Sequence, residues 1–178
     1  MQQEVEQLLR STIRQIPDWP ITGVTFQDLT GLMASGQAFG AAIAELDSRL
    51  GQTVIDEVAG IEARGFPYGA ALAHLRGTGF VTVRKPGKLP GAVHAQDYAL
   101  EYGTATLELH QDALAPGRRV AIVDDVLATG GTAAACIDLV RRTGAEVLTV
   151  LVIMEIDGLG GRELCSARGV PVVSLMSS

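Results

Sequence analysis

Between Val120 and Thr132 the chain reads VAIVDDVLATGGT, and this order of residue types constrains its folding more than any other stretch. Val120 to Val123 form an apolar run suited to a short strand buried on both faces of a sheet. Asp124 and Asp125 follow where such a strand should emerge, so two carboxylates stand together at a strand end. Ala128, Thr129, Gly130, Gly131 and Thr132 then lead into a helix predicted over about Thr132 to Thr143 and closed by Gly144. Two glycines let the backbone approach an anion closely, and the amides of the first helical turn point towards it. The helix dipole adds about 0.3 to 1 kcal/mol, and the hydroxyls of Thr129 and Thr132 supply further donors and a candidate helix cap. A monophosphate suits this arrangement. On chemistry alone the same residues also describe a tight strand-to-helix turn with solvated acids. A nucleotide P-loop is excluded, because GxxxxGK[ST] needs lysine after its second glycine and Gly131 is followed by Thr132.

The rest of the chain alternates in a similar way. Val5, Leu8, Leu9, Thr12, Ile13 and Ile16 recur at helical spacing until Pro17, which predicts an amphipathic first helix. After an irregular stretch carrying Pro17, Pro20 and Gly23, Ser35 is placed to cap a helix with the apolar stripe Phe39, Ala42, Ile43, Leu46 and Leu50, ended by Gly51. Thr53 to Ala59 reads as a strand. Phe66 to Arg76 reads as a helix with Pro67 in its first turn and Gly77 past its end, and Phe80 to Arg84 as a strand. Lys85 to Gly103 carries three glycines, two prolines and scattered charges without sustained periodicity, which is long for a structureless connection and predicts a functional lid. Thr104 to Leu109, Glu146 to Met154 and Val170 to Leu175 read as strands, with a short helix near Arg162 to Ala167. This order predicts an α/β fold, a mainly parallel twisted sheet flanked by helices, with ligands at the C-terminal ends of the strands.

Composition narrows the function classes. A chain of 178 residues is long enough for one domain with a continuous core and no need of disulfides or structural metal. Hydrophobic residues make up 47% and charged residues 19%, yet no apolar run nears the roughly 20 residues of a membrane span. The N-terminus lacks the pattern of a secretory signal, so a soluble, cytoplasmic protein is expected, with no membrane contact. Cys136 and Cys165 have no ligand spacing and read as small buried apolar residues, while His74, His94 and His110 show no metal-binding pattern. The net charge of -6 argues against a nucleic-acid surface, which would need clustered cations. Against that acidic background Arg84, Lys85 and Lys88 form a local cationic cluster, suited to an anionic ligand or simply to a solvated loop.

Read as a unit, the apolar run, the two acids and VLATGGT resemble the signature of the type I phosphoribosyltransferases. Three further segments, IPDWPITGVTFQD, RKPGKLPG and YALEYG, are similar to those of the adenine-specific branch, so the resemblance extends from the first helix almost to the C-terminus. It implies a single phosphoribosyltransferase domain over residues 1–178, with a small N-terminal hood over about 1–34 and a flexible flap over about 85–103. The implied activity is purine salvage: adenine and phosphoribosyl pyrophosphate give AMP and pyrophosphate. Magnesium is implied as a cofactor carried by the substrate rather than in a permanent metal site, and a homodimer is implied as the assembly.

The resemblance also distributes roles. It gives Asp124 and Asp125 to the ribose hydroxyls and Ala128, Thr129, Gly130, Gly131 and Thr132 to the 5′-phosphate. It gives the loop Glu62, Ala63 and Arg64, together with Arg84, Lys85 and Lys88, to pyrophosphate, the basic loop contributing across the dimer. Phe26 stacks on adenine, the backbone of Thr25 and Gln27 bonds its edge, and Val126 closes the opposite face. Glu101 is the catalytic glutamate on the flap. From the residues alone, Phe26 is also an ordinary core aromatic, and Trp19 reads as core or staple packing. The chain departs from the common pattern at Gln27, where arginine is frequent, at Glu62-Ala63, where Asp-Ser is common, and at Pro86, where a basic residue is common. Related enzymes often carry a non-proline cis peptide in the Glu62-Ala63 loop. Two alternatives remain at this level: the same chemistry on another purine base, and a non-catalytic regulator that senses its ligand on the same fold.

Overall fold

The computed structural model describes residues 2–19, 21–99 and 103–178. These form two compact units, Met1–Arg49 and Leu50–Ser178. Among the described residues no helix is long and apolar enough to cross a membrane.

The first unit contains α1 (Gln2–Thr12), β1 (Arg14–Ile16), β2 (Phe26–Asp28), α2 (Thr30–Ala34) and α3 (Gly36–Leu50). The first helix stops at Thr12 rather than reaching Ile16. The hydroxyls of Ser11 and Thr12 donate back to the Leu8 and Leu9 carbonyls at 2.7 Å each, and such local bonds compete with helix continuation. Arg14 to Ile16 instead pair antiparallel with Phe26 to Asp28, a two-stranded ribbon hidden from sequence by the prolines between its strands. Arg14 bridges the ribbon to Asp28 at 2.6 Å, and Asp28 accepts the Thr30 amide at 3.0 Å where α2 begins. Ser35 caps α3 as expected, its hydroxyl accepting from the Ala38 amide at 3.3 Å. Ala42, Ile43, Leu46 and Leu50 are buried along its inner face, and Phe39 is half-buried.

The second unit is a doubly wound sheet. Its elements are β3 (Glu57–Ile61), α4 (Gly65–Arg76), β4 (Gly79–Val83), β5 (Val93–Ala99), β6 (Thr104–His110), β7 (Arg119–Leu127), α5 (Gly131–Arg142), β8 (Glu146–Glu155), α6 (Gly161–Ser166) and β9 (Val172–Ser177). Five strands lie in the order β4-β3-β7-β8-β9, every neighbouring pair parallel. The chain steps outward from β3 to β4 and then crosses back over β3 to β7. That reversal leaves a crevice beyond the carboxyl ends of β3 and β7, the place where such sheets bind ligands.

The core lies along β7 and α5. Val120, Ile122, Val150 and Val152 of the sheet pack with Ile137, Leu139 and Val140 of α5 and with Leu107 and Leu109 of β6. Cys136 and Cys165 are buried free thiols, and burial pushes the pKa of each up. Gly77 ends α4 in the left-handed region at φ 65°, as its position past the helix predicted. The expected strand at Thr53 begins only at Glu57, where pairing to Val120 of β7 starts.

Within the stretch read as a lid, which carries no strand signal, the described residues include a strand. Val93 to Ala99 is a strand paired antiparallel with Thr104 to His110, in register from Val93–His110 to Ala99–Thr104. Glycine and proline concentrate at its upstream end, between Pro86 and Gly91, and mask the strand that follows. Burial of Leu107 and Leu109 fixes β6 to the core, and β5 forms by pairing with it.

Candidate active site

Two loops frame the crevice, and each begins where a strand ends. β7 runs to Leu127, so Asp124 and Asp125 lie within the strand rather than just beyond it. Its pairing with β3 extends to Val123, whereas its pairing with β8 continues through Asp124–Val152 and Val126–Met154 to Leu127–Glu155. The two acids therefore stand on a strand end that is hydrogen-bonded along the β8 side and opens towards the switch point.

Their surroundings set their charge. Asp125 is only 4% exposed, and the Arg64 guanidinium lies 2.7 Å from its Oδ2 as an ion pair without hydrogen-bond alignment. Burial pushes the Asp125 pKa up, and the positive charge of Arg64 pulls against it. Asp124 keeps partial solvent contact, yet protein crowds its carboxylate closely, and burial followed by the like charge of Asp125 raises its pKa well above the usual carboxylate range. Asp124 Oδ1 accepts the Asp125 amide at 2.9 Å. Tyr68 of α4, fully buried, also feels Asp125: burial first and that carboxylate second push its phenol pKa up. Two neighbouring carboxylates with raised pKa values favour a ligand that brings hydroxyl donors or positive charge.

The Ala128–Thr132 turn leads from β7 into α5, without the expected side-chain cap. α5 starts at Gly131, and its N-cap is Gly130 at φ 82° with no side chain capping it, so neither Thr129 nor Thr132 serves as a cap. Thr129 is exposed and Thr132 half-buried. Asp124, Val126, Ala128, Thr129, Gly131 and Thr132 border a small concavity of about 90 Å3. The loop is backed by α6. A methyl on Gly130 would lie 2.8 Å from Gly161 Cα, and one on Gly161 would lie 2.3 Å from the Ala128 carbonyl oxygen. In the sequence Gly161 carries no signal beyond the adjacent Gly160-Gly161 pair before a helix.

The second loop joins β3 to α4. The Glu62-Ala63 peptide is cis. Glu62 turns its carboxylate towards the end of β4, accepting the Lys85 amide at 2.9 Å and Arg84 Nε at 3.2 Å. Those bonds, the Lys85 amide first, hold the Glu62 pKa down against partial burial. Arg84 also donates to the Lys88 carbonyl at 3.2 Å and lies 5.9 Å over the Phe66 ring. Ala63 is exposed, and Lys85 and Lys88 are exposed in the turn after β4. Gly65 lets α4 start against β7, since a methyl there would stand 2.5 Å from the Val123 carbonyl oxygen. Thus the structure brings Glu62, Arg64 and Arg84 into one loop cluster and joins it to Asp125 through Arg64.

In the first unit, Thr25, Phe26 and Gln27 run consecutively into and along β2, with Phe26 opposite Ile16 and Gln27 opposite Gln15. Trp19 is not core: it is 50% exposed and meets the Phe26 ring edge-on at 4.4 Å between centroids. Glu101 lies outside the described residues. Among the described residues no three His, Cys, Asp or Glu side chains converge to hold a metal ion.

This geometry has known counterparts. The phosphoribosyl transferase domain profile matches residues 27–167. An adenine phosphoribosyltransferase of Cutibacterium acnes is 50% identical over 167 residues, covering 94% of both chains. The chain belongs to the adenine phosphoribosyltransferase family. Its fold is similar to the crystal structure of the enzyme from Thermoanaerobacter pseudethanolicus, with a TM-score of 0.93 and 43% identity over 97% of this chain and 99% of that one. It is also similar to the Saccharomyces cerevisiae enzyme complexed with an imino-altritol bisphosphate and adenine, at TM-score 0.90 and 37% identity over 97% and 99% of the two chains. The expected fold class and family are therefore those of the molecule.

Proposed function

We propose that this protein salvages adenine, transferring the phosphoribosyl group of phosphoribosyl pyrophosphate to it and releasing AMP and pyrophosphate. The observation that carries the reading is the pairing, on one strand, of two adjacent carboxylates with a small concavity at the start of α5. The Saccharomyces relative, crystallised with adenine, supports the choice of base.

In this reading the cradle from Ala128 to Thr132 holds the 5′-phosphate, and Asp124 and Asp125 accept hydrogen bonds from the ribose 2′ and 3′ hydroxyls. Substrate hydroxyls there replace part of the solvation that burial removed from the two carboxyl groups. The ribosyl carbon is then held at the β3–β7 crevice with pyrophosphate towards the Glu62-Ala63-Arg64 loop, where Arg64 and the cations Arg84, Lys85 and Lys88 offset its charge. The hard carboxylate oxygens of Asp124 and Asp125 would suit a magnesium ion carried in by the substrate, which would neutralise charge on pyrophosphate. Phe26 stacks on adenine, the Thr25 and Gln27 backbones bond its edge, and Val126 closes the other face. Glu101 manages the purine proton as the carbon passes through an oxocarbenium-like state. The reading makes the protein a cytoplasmic homodimer whose Arg84–Lys88 loop reaches pyrophosphate across the interface.

The test is a stopped assay with phosphoribosyl pyrophosphate, magnesium and, separately, adenine, hypoxanthine, guanine, xanthine and orotate. AMP alone is expected. Nucleotide from another base alone would overturn the adenine assignment, and binding without any product would support a sensor on this fold instead.

A further inference from the structure

Both glycines of the cradle are spaced for protein neighbours as well as for an anion. A methyl built on Gly131 would lie 2.9 Å from the Ala99 carbonyl oxygen and 3.3 Å from Tyr98 Cδ2. The end of β5 therefore rests on the first residue of α5. Further along the same strand, Arg142 in the last turn of α5 donates to the Ala95 carbonyl at 2.5 Å. Between these points strand and helix part around a cleft of about 390 Å3 bordered by Gln96, Asp97, Ala134, Ala135 and Asp138. The Tyr98 ring is half-buried and packs on the central core, so the contact is braced by the body of the unit.

We propose that Tyr98 is a positioning residue for the substrate phosphate: its ring, with the Ala99 carbonyl, bears on Gly131 and sets where the cradle amides point. The inference rests on the assignment of the Ala128–Thr132 loop to the 5′-phosphate. An amide donor is effective only within a narrow range of distance and angle. A loop gripped on one side by Gly161 and on the other by Tyr98 has little freedom left to lose when the anion enters, and preorganisation of this kind adds to affinity. The role is steric. The phenol oxygen is not needed, and a ring of the same shape suffices.

Ribose 5-phosphate probes the cradle without chemistry. In the full chain, Tyr98→Ala weakens its binding about tenfold, within the range that residues in direct contact exchange. The same variant raises KM for phosphoribosyl pyrophosphate by a similar factor and leaves kcat within about twofold, the signature of lost uniform binding. Tyr98→Phe restores both values. Arg142→Ala, a change at an exposed side chain that keeps the fold, weakens ribose 5-phosphate in the same direction by a smaller factor. Wild-type affinity for ribose 5-phosphate in Tyr98→Ala, or a loss confined to kcat, overturns the proposal. If Tyr98→Ala does not fold, unchanged affinity in Arg142→Ala overturns it instead. A wild-type protein that fails to bind ribose 5-phosphate overturns the phosphate assignment itself, and so separates that failure from this one.

Discussion

Alanine at Gly161 tests whether α6 shapes the cradle from Ala128 to Thr132 proposed for the substrate phosphate. The added methyl would stand 2.3 Å from the Ala128 carbonyl oxygen and 2.9 Å from Leu127 Cγ. Carbon and oxygen approach comfortably to about 3.3 Å, so the carbonyl must retreat by about 1 Å. Ala128 opens the cradle, and its peptide cannot move without swinging the amides that follow. Displacement of a binding group by about 1 Å costs up to about 10²-fold in rate, and overpacking of this kind costs about 1 to 3 kcal/mol. Gly161→Ala is therefore expected to lower kcat/KM for phosphoribosyl pyrophosphate by roughly 30- to 100-fold, with a melting temperature lower by about 2 to 4 °C per kcal/mol. The assay is initial rate at saturating adenine beside thermal unfolding of the same sample. Gly158→Ala is the control. Gly158 lies in the same β8–α6 connection at φ 77° with nothing within 4 Å of a methyl, so alanine there costs about 1 to 2 kcal/mol of backbone strain and spares the cradle. A Gly161→Ala enzyme within twofold of wild type in kcat/KM, or one no worse than Gly158→Ala, would refute the reasoning.

Three further outcomes follow from the site. Arg64→Gln removes the charge that pulls the Asp125 pKa down against burial, so the acid limb of kcat/KM for phosphoribosyl pyrophosphate moves to higher pH; a limb that stays in place speaks against the pair. Asp124 has a folded pKa raised by burial, so the folded state holds its proton more tightly than the unfolded chain, and this group costs stability progressively as pH rises from the ordinary carboxylate range towards its folded pKa. Asp124→Asn should accordingly melt higher than wild type at neutral pH, by about 0.5 to 2 kcal/mol of stability, with lower activity, and the gap should close in acid; equal melting at both pH values would count against it. Glu101→Leu should lower kcat by roughly 10² to 10⁴ in steady-state assay, and an unchanged rate would remove Glu101 from proton transfer.

How much was legible depended on how far along the chain the deciding partner lay. α3 with its Ser35 cap, α4 with Gly77 beyond its end, and the strand-turn-helix at Val120 each carry their signal within about a dozen residues, and each formed, the strand running on to Leu127 past its expected end. The misses have the opposite character. α1 stops at Thr12 because Arg14–Ile16 finds a partner in Phe26–Asp28, and the lid contains a strand because Val93–Ala99 finds one in Thr104–His110. In both cases the pattern of one strand is weak and its pairing supplies the order, so periodicity over a single window has nothing to detect.

The same division holds at the site. The sequence by itself determined the alternating α/β order, two carboxylates ahead of a glycine turn, and the family to which those residues belong. Only the tertiary structure decided that β7 is paired on one side alone beyond Val123, that Arg64 reaches Asp125, and that Gly130 and Gly131 owe their small size to Gly161 and to Tyr98-Ala99. Residue types and local spacing report backbone preference and chemistry, which act over a few residues. Burial, ion pairing and close packing depend on segments far apart in the chain, and those are fixed only when the sheet order sets which strand ends and helix starts meet.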